Sequence, residues 1–128
     1  MKKIIFMAFA VVLFLTSCTS IKENKVEYKK ITADEAKQMM DTEKDIIILD
    51  VRTKEEFVAG YIKNAILIPD TEIEKSAPEK LTNKNAKILV YCRSGRRSAI
   101  AANKLIEMGY TNVLDFGGII DWKYETVK

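Results

Sequence analysis

The sequence predicts an α/β domain in which helices cover both faces of a central parallel sheet. Short, unbroken apolar segments rich in β-branched residues recur along the chain, as expected for strands that are buried on both faces. Segments with helical periodicity separate them, and this alternation is typical of a parallel sheet. Two of the helical segments begin with a capping box, a Thr followed three residues later by Glu. The 128 residues fit one domain, and their 48% apolar content is too high for a disordered chain.

The first half of the domain is predicted to contain two helices and two strands after a short entry strand. The first capping box begins a helix over 32–40, and the apolar run at 45–50 is a buried strand that ends in an acid. The second capping box begins a helix over 53–60, which ends at a glycine. A short apolar strand follows at 65–68 and is closed by a proline.

The second half is predicted to contain the central strand and the longest helix. Residues 70–86 are polar and include Pro78, so we expect a surface crossing with one helical turn. The strand at 87–91 precedes a helix over 98–108 with one apolar stripe, and 112–115 is the last strand. A glycine turn, a helical segment and an aromatic residue that covers the core close the chain: Gly117-Gly118, 119–124 and Trp122.

The start of the chain has the features of an export signal. Lys2 and Lys3 precede an uncharged apolar run over 4–15, which is too short for a typical membrane-spanning helix. The following Leu15-Thr16-Ser17-Cys18 resembles a bacterial lipobox. This resemblance implies cleavage before Cys18 and lipidation of its thiol. An uncleaved anchor and an ordinary signal cut nearby are the alternatives.

These features predict three segments: a signal peptide at 1–17, a lipidated tether at 18–27 and a folded domain at 28–128. The mature protein would be a membrane-anchored lipoprotein of the cell envelope, facing the periplasm or the extracellular side. The signal segment holds two of the 21 Lys and Arg residues and none of the 18 Asp and Glu residues, so the mature chain is nearly neutral. This charge gives no electrostatic reason to expect nucleic-acid binding.

The sequence holds two cysteines, Cys18 and Cys92, and no histidine. Lipidation of Cys18 would leave Cys92 without a disulfide partner, and an unpaired cysteine in an exported protein is a candidate reactive thiol. The lack of histidine excludes a Cys–His dyad, a histidine general base and a histidine-ligated metal site. Two distant cysteines do not make a zinc site either. We therefore predict no metal and no cofactor.

Cys92 begins a loop whose composition favours the thiolate form of its side chain. It follows a predicted strand directly and precedes a helix, whose N-terminus presents unpaired N–H groups and a partial positive charge. The loop Cys92-Arg93-Ser94-Gly95-Arg96-Arg97 adds three arginines, and Gly95 permits a turn that points its amides at the sulfur. We expect Cys92 to be a nucleophile with an anionic substrate. The loop that stabilises its thiolate can also hold a persulfide anion or an oxyanion such as thiosulfate. The alternative is a buried structural cysteine at a strand end.

Three stretches of the chain resemble a single-domain rhodanese, and together they cover about 28–124. The first comprises Leu49-Asp50-Val51-Arg52, Glu55-Glu56-Phe57, Gly60-Tyr61-Ile62, Ala65 and Ile68-Pro69. The second, Val90-Tyr91-Cys92-Arg93-Ser94-Gly95-Arg96-Arg97-Ser98-Ala99, is similar to the active loop of the family and its helix. The third comprises Gly109-Tyr110, Asn112-Val113, Gly117-Gly118-Ile119 and Trp122. Tyr61 stands where the family commonly has histidine, which puts any histidine-dependent step in doubt.

The resemblance implies a three-layer α/β sulfurtransferase domain. Cys92 would take a sulfane sulfur from a small sulfur-containing anion, become a persulfide, and pass the sulfur to an external thiol or to cyanide. The rest of the loop would bind the substrate, through Arg93, Ser94, Gly95, Arg96, Arg97 and Ser98. Asp50 would lie near this loop, and Arg52 would pair with a helix acid such as Glu56. The alternative for Asp50 and Arg52 is a polar network that holds the fold.

Three other functions remain as alternatives. A carrier or sensor module would hold sulfur on the same loop without turnover and serve one specific partner. A tyrosine-phosphatase-like enzyme uses a cysteine followed six positions later by arginine, but Ser98 occupies that position here. An arsenate reductase usually needs a resolving cysteine, and the mature chain would have none, so any oxidised Cys92 must react with an external thiol.

Overall fold

A computed structural model describes residue 20 and residues 22–128 of the chain, and its centre is a five-stranded parallel sheet. The strands lie in the order β1-β5-β4-β2-β3, and every pairing between neighbours is parallel. Their bounds are Lys29–Lys30 (β1), Ile47–Asp50 (β2), Ile66–Leu67 (β3), Ile88–Cys92 (β4) and Val113–Gly118 (β5). The predicted parallel sheet is confirmed.

Four α-helices connect these strands within the described residues: Ala33–Thr42 (α1), Lys54–Ala59 (α2), Ile73–Lys80 (α3) and Arg96–Glu107 (α4). Both predicted capping boxes are present. Thr32 and Glu35 exchange hydrogen bonds at the start of α1, and Thr53 and Glu56 do the same at the start of α2. Short 3₁₀ turns lie at Asp70–Glu72 and Ile119–Asp121.

Each face of the sheet has its own hydrophobic cluster, because successive side chains of a strand point to opposite faces. On one face, α3 and α4 pack against Val90 and its neighbours in the sheet. On the other face, α1 and the closing aromatic Trp122 pack against Leu89 and Tyr91. Helices on both sides of the sheet give the three-layer α/β architecture that the sequence predicts.

The structure corrects the expectation for residues 70–86. They form a 3₁₀ turn followed by α3, which is a two-turn helix with Pro78 inside it rather than a loop with a single turn. Ile73 and Ala77 are fully buried, so tertiary packing holds the helix despite the proline. The hydroxyl of Tyr110 donates to the carbonyl of Ala77 at 3.1 Å and that of Leu81 at 2.7 Å, which satisfies the end of the helix.

Several boundaries also differ from those predicted. Helix α4 begins at Arg96 instead of residue 98, because Gly95 takes a left-handed conformation with φ of 104° and serves as the N-cap. Gly117 and Gly118 belong to β5 rather than to a free turn. The closing helical segment is limited to one 3₁₀ turn, and β3 contains two residues where four were expected.

The predicted signal segment and the lipidation site at Cys18 lie outside the described residues. Among the helices of the described part, none combines the length and the apolar character needed to cross a bilayer.

Candidate active site

The site is built around Cys92, the last residue of β4, at the carboxyl edge of the parallel sheet. Ligand sites of open α/β sheets lie at this edge. A three-residue connection leads from Cys92 into α4, so the helix N-terminus stands directly above the sulfur. The Cys92 side chain is 1% exposed and belongs to the cluster beneath α4. Its burial agrees with the alternative of a structural cysteine, so the polar contacts of the sulfur decide what it can do.

Two polar groups contact the sulfur of Cys92. The backbone N–H of Gly95 donates to Sγ at 3.0 Å, and Ser98 Oγ lies 3.5 Å from Sγ. The Ser98 hydroxyl donates in turn to the carbonyl of Gly95 at 3.1 Å. The sequence predicts several backbone amides that point at the sulfur. Among the described hydrogen bonds to Sγ, the one from the backbone is donated by the Gly95 amide. A sulfur that accepts an N–H beside a helix N-terminus is placed to hold negative charge.

The three loop arginines have different environments. Arg93 and Arg96 are exposed at the rim of the site. Arg97 is half-buried and donates from Nη1 and Nη2 to both carboxylate oxygens of Glu56, at 2.7 and 2.9 Å. Arg97 therefore ties α4 to α2. The two exposed arginines form no ion pair within the described residues, so they are the ones that can meet an anion.

This ion pair shifts the titration of both partners. The hydrogen bonds from Arg97 lower the pKa of Glu56 to about 2, and those with Glu56 raise the pKa of Arg97. Both groups consequently stay charged through the neutral range. Because the Arg97 guanidinium is fixed near Cys92, it contributes a permanent positive charge to the site.

The predicted pairing of Arg52 with Glu56 is wrong. Arg52 turns back onto Asp50 instead: its Nη2 lies 2.7 Å from Asp50 Oδ2, and its Nε lies 3.0 Å from both carboxylate oxygens. Nη2 also donates to the carbonyl of Gly60 at 2.7 Å, beyond the end of α2. Two residues of separation at a strand end leave the carboxylate within reach of the guanidinium, whereas Glu56 lies on the helix face toward Arg97.

Tyr91 extends this buried network beside Cys92. The Arg52 guanidinium lies 5.6 Å from the Tyr91 ring centroid, and the Tyr91 hydroxyl accepts the N–H of Ile62 at 3.1 Å. Burial raises the pKa of Tyr91, so its hydroxyl stays neutral. Asp50 lies on this face of the sheet, opposite the face that Cys92 occupies. Its contacts match the fold-holding network that was the alternative for Asp50 and Arg52.

The sequence did not indicate that the end of β5 forms the back wall of the loop. Gly118 pairs with Cys92, and a Cβ built on Gly118 would overlap the Arg93 carbonyl and lie 2.6 Å from Ser94 Cα. The Ser98 hydroxyl also lies 3.4 Å from the Gly117 carbonyl. The sequence pattern of two adjacent glycines predicts a turn. Their contact with the loop depends on the register of β4 and β5, which the sequence does not reveal.

The assembled site offers a sulfur nucleophile under a helix N-terminus, with one amide and one hydroxyl on the sulfur and two free guanidinium groups at the rim. The Gly95 amide and the helix N-terminus can stabilise a thiolate, and the guanidinium groups can attract a small anion to it. The catalytic role of Cys92 and the contacts of residues 93–98 with such an anion stay predictions.

Comparison with known proteins agrees with this geometry. The family model of the rhodanese-like domain matches residues 32–125. YrkF of Bacillus subtilis (strain 168), whose name proposes a sulfur carrier, is 36% identical over 105 residues, which are 81% of this chain and 56% of that protein. The thiosulfate sulfurtransferase PspE of Escherichia coli (strain K12) is 38% identical over 80 residues, covering 62% of this chain and 77% of PspE.

A solved structure has the same fold. The crystal structure of a rhodanese-related protein from Thermoplasma volcanium superposes with a TM-score of 0.68 at 32% identity and covers 78% of this chain and 98% of that one. The chain spans about half the length of YrkF.

Proposed function

The chain belongs to the rhodanese-like domain family, and from this premise we propose that it is a sulfurtransferase of the thiosulfate type that works through a persulfide on Cys92. Relatives named as sulfurtransferases support sulfur transfer as the general reaction. The observation that carries the proposal is the contact of the Cys92 sulfur with the Gly95 amide at the start of α4, beside two exposed arginines.

The first half-reaction loads the cysteine. The Cys92 thiolate attacks the outer sulfur of thiosulfate, the new S–S bond forms, and sulfite leaves with the electron pair of the bond that breaks. Arg93 and Arg96 attract the dianion, and the Gly95 amide holds the negative charge on the sulfur. The fixed guanidinium of Arg97 favours the anionic persulfide over its protonated form.

The second half-reaction releases the sulfur. Cyanide or an external thiolate attacks the outer sulfur of the persulfide, which yields thiocyanate or a new persulfide and restores the Cys92 thiolate. An external acceptor is required because Cys92 is the free cysteine of the described residues.

The direct test is the intact mass of the purified protein after incubation with thiosulfate. We expect a gain of one sulfur atom that cyanide removes as an equivalent amount of thiocyanate. If no sulfur is gained while Cys92 is still alkylated rapidly near neutral pH, the thiol is reactive toward another substrate and the proposal fails.

A carrier that serves one partner is the second candidate, and the name of YrkF favours it. A carrier and an enzyme would both form the persulfide, but they differ in turnover. Multiple turnovers with small acceptors such as cyanide and dithiothreitol support the enzyme. A single round of transfer that becomes catalytic only when a specific protein thiol is added supports the carrier.

The geometry offers no support for phosphatase activity. The sixth residue after Cys92 is Ser98, whose hydroxyl donates to the Gly95 carbonyl and accepts from the Cys92 thiol, and Arg97 is paired with Glu56. No arginine of this loop lies at the sixth position after the cysteine, where tyrosine phosphatases have the arginine that binds phosphate. Turnover of p-nitrophenyl phosphate that disappears in Cys92→Ser would contradict this assignment.

We also propose that Cys18 carries a lipid after removal of 1–17 and anchors the protein to a membrane in the cell envelope. The tether enters β1 at the amino edge of the parallel sheet, whereas Cys92 lies at the carboxyl edge. Because these edges are opposite, the anchored domain would present its Cys92 loop on the side away from the tether, toward soluble donors and acceptors.

The anchor predicts lipid labelling that depends on one cysteine. In bacteria that express the full chain, we expect incorporation of a labelled fatty acid into the wild type and Cys92→Ser, and loss of the label in Cys18→Ser. Fractionation should place the labelled proteins with membranes. Membrane association of an unlabelled wild type would favour the uncleaved anchor instead.

Gly118 provides a prediction about the wall of the site. Gly118→Ala should lower kcat for thiocyanate formation by about 100-fold, because the new methyl group pushes the Arg93 carbonyl and shifts the loop by roughly 1 Å. Gly109→Ala is the matched control, since Gly109 has a φ of 97° and lies at the far end of α4. That control should lose stability but keep kcat, and equal kcat losses in the two variants would contradict the role of the wall.

A further inference from the structure

Asp115 is a buried acid that the proposed chemistry does not use. It lies in β5 next to Val90 of β4, and its side chain is 0% exposed. Its Oδ1 accepts the N–H of Gly117 at 2.9 Å, while Oδ2 has no hydrogen-bond partner within the described residues. A buried carboxylate is costly unless it is paired, so an acid at this position needs a structural reason. The bond to Gly117 is the polar contact that can supply it.

This bond closes a tight turn inside the strand. A side-chain oxygen that accepts the N–H two residues later is the Asx turn, which bends the backbone locally. Gly117, at the bend, has a φ of 86°, a left-handed conformation that favours glycine. The pairing of β4 with β5 shifts register between Val90 and Cys92, and this shift brings Gly118 opposite Cys92. Asp115 therefore stabilises the bulge that sets the register at the nucleophile.

The bulge contacts the Cys92 loop at several points. The Gly117 carbonyl lies 3.4 Å from Ser98 Oγ, which itself lies 3.5 Å from the Cys92 sulfur. A Cβ on Gly95 would lie 3.6 Å from Gly117 Cα, and Gly118 approaches the Arg93 carbonyl too closely to allow any side chain. The residue whose amide donates to the sulfur thus rests directly on the bend that Asp115 closes.

We propose that Asp115 is a positioning residue for Cys92: by holding the Gly117 bulge, it keeps the Gly95 amide and the Ser98 hydroxyl on the sulfur. The carboxylate acts through the backbone and touches neither the sulfur nor a substrate. Because its role is to accept one hydrogen bond, an uncharged side chain of the same shape should replace it. The kinetic part of this inference rests on the proposed sulfur transfer, whereas the geometric part does not.

The kinetic test compares Asp115→Ala with Asp115→Asn, which keeps the acceptor oxygen. We expect Asp115→Ala to lower kcat about tenfold or more with a smaller change in KM for thiosulfate, because the substitution removes neither of the exposed arginines, Arg93 and Arg96. Asp115→Asn should keep kcat within about threefold of the wild type. Leu114→Ala is the matched control, since Leu114 is a buried neighbour in β5 that faces the opposite cluster. It should lose stability without loss of kcat.

Amide hydrogen exchange, followed by NMR, tests the geometry without any sulfur transfer. In Asp115→Ala the Gly95 amide should exchange at least about tenfold faster relative to the core amide of Leu89, and this ratio should stay unchanged in Leu114→Ala. If Asp115→Ala does not fold, the exchange ratio is measured in Gly117→Ala instead, because this substitution strains the same bend without altering the buried acid. A faster exchange of the Gly95 amide there supports the positioning role of the bend, and an unchanged ratio contradicts it.

The outcomes separate the two proposals. A wild type that forms no persulfide removes the proposed function, but the exchange ratios still decide the positioning role. Wild-type kcat and exchange in Asp115→Ala would overturn the inference. It would also be overturned if Asp115→Asn were as impaired as Asp115→Ala, because the charge rather than the hydrogen bond would then be what matters.

Discussion

Cys92→Ser is expected to form no persulfide and to reduce thiocyanate formation from thiosulfate and cyanide by at least about 1,000-fold. A serine hydroxyl has no sulfur on which to carry the transferred atom, and it is a weaker nucleophile than a cysteine sulfur. The groups that stabilise the anion, the Gly95 amide and the start of α4, would remain in place without a nucleophile to act on. Initial rates, with intact mass before and after the donor is added, measure the loss.

Cys18→Ser is the matched control for this substitution, because the chain has two cysteines and this one makes the same chemical change outside the folded domain that the sequence predicts at 28–128. It should keep the full rate of the purified protein. Thermal unfolding should show that Cys92→Ser is folded, since serine is close to cysteine in volume and Ser98 can accept its hydrogen bond. Thiocyanate formation by Cys92→Ser above the uncatalysed background would mean that another group carries the sulfur.

The sequence was sufficient to single out Cys92 as the candidate nucleophile. Cys92 could be identified because an apolar strand, a cysteine, a glycine and three arginines follow one another directly, so local order already implies a thiol at the edge of a sheet. The capping boxes that begin α1 and α2 were equally local, since each depends on two residues three positions apart. Features of this kind are encoded within one turn or one strand end.

Contacts between distant elements could not be predicted in the same way. Glu56 and Arg97 are 41 residues apart, and their pairing depends on how α2 and α4 sit over the sheet. The family resemblance implies a pairing of Arg52 with Glu56, and this expectation is wrong because Arg97 binds Glu56 across the two helices. The role of Asp115 was hidden for the same reason, because it depends on the register shift between β4 and β5.

Helix α3 shows how packing can override a local signal. Pro78 and the charged residues around it favour a loop, and no capping box marks the start of the helix. The side chains of Ile73, Ala77 and Leu81 are buried and recur at helical spacing. Three apolar residues in an otherwise polar segment are a weak sequence signal for a helix. Their burial under α4 supplies the stabilisation that propensity does not.

Arg52→Met is expected to lower the free energy of unfolding by about 3–5 kcal/mol, a large part of the total of about 5–15 kcal/mol that is usual for a domain. Methionine fills much of the space of the arginine stem but leaves Asp50, which is 0% exposed, without its cation. The Gly60 carbonyl loses its donor as well. Urea denaturation, analysed with a common slope for all variants, measures the difference.

Two comparisons show whether the uncompensated charge is the cause. Lys37→Met removes an exposed ion pair with Asp41 on α1 and should cost no more than about 0.5 kcal/mol. The double variant Asp50→Asn with Arg52→Met removes both charges of this pair, so it should be more stable than Arg52→Met alone. If the double variant is the less stable of the two, hydrogen bonding by Asp50 outweighs its charge. A loss of unfolding free energy below about 1 kcal/mol in Arg52→Met would show that the Asp50–Arg52 ion pair is not needed to hold β2 beside β4.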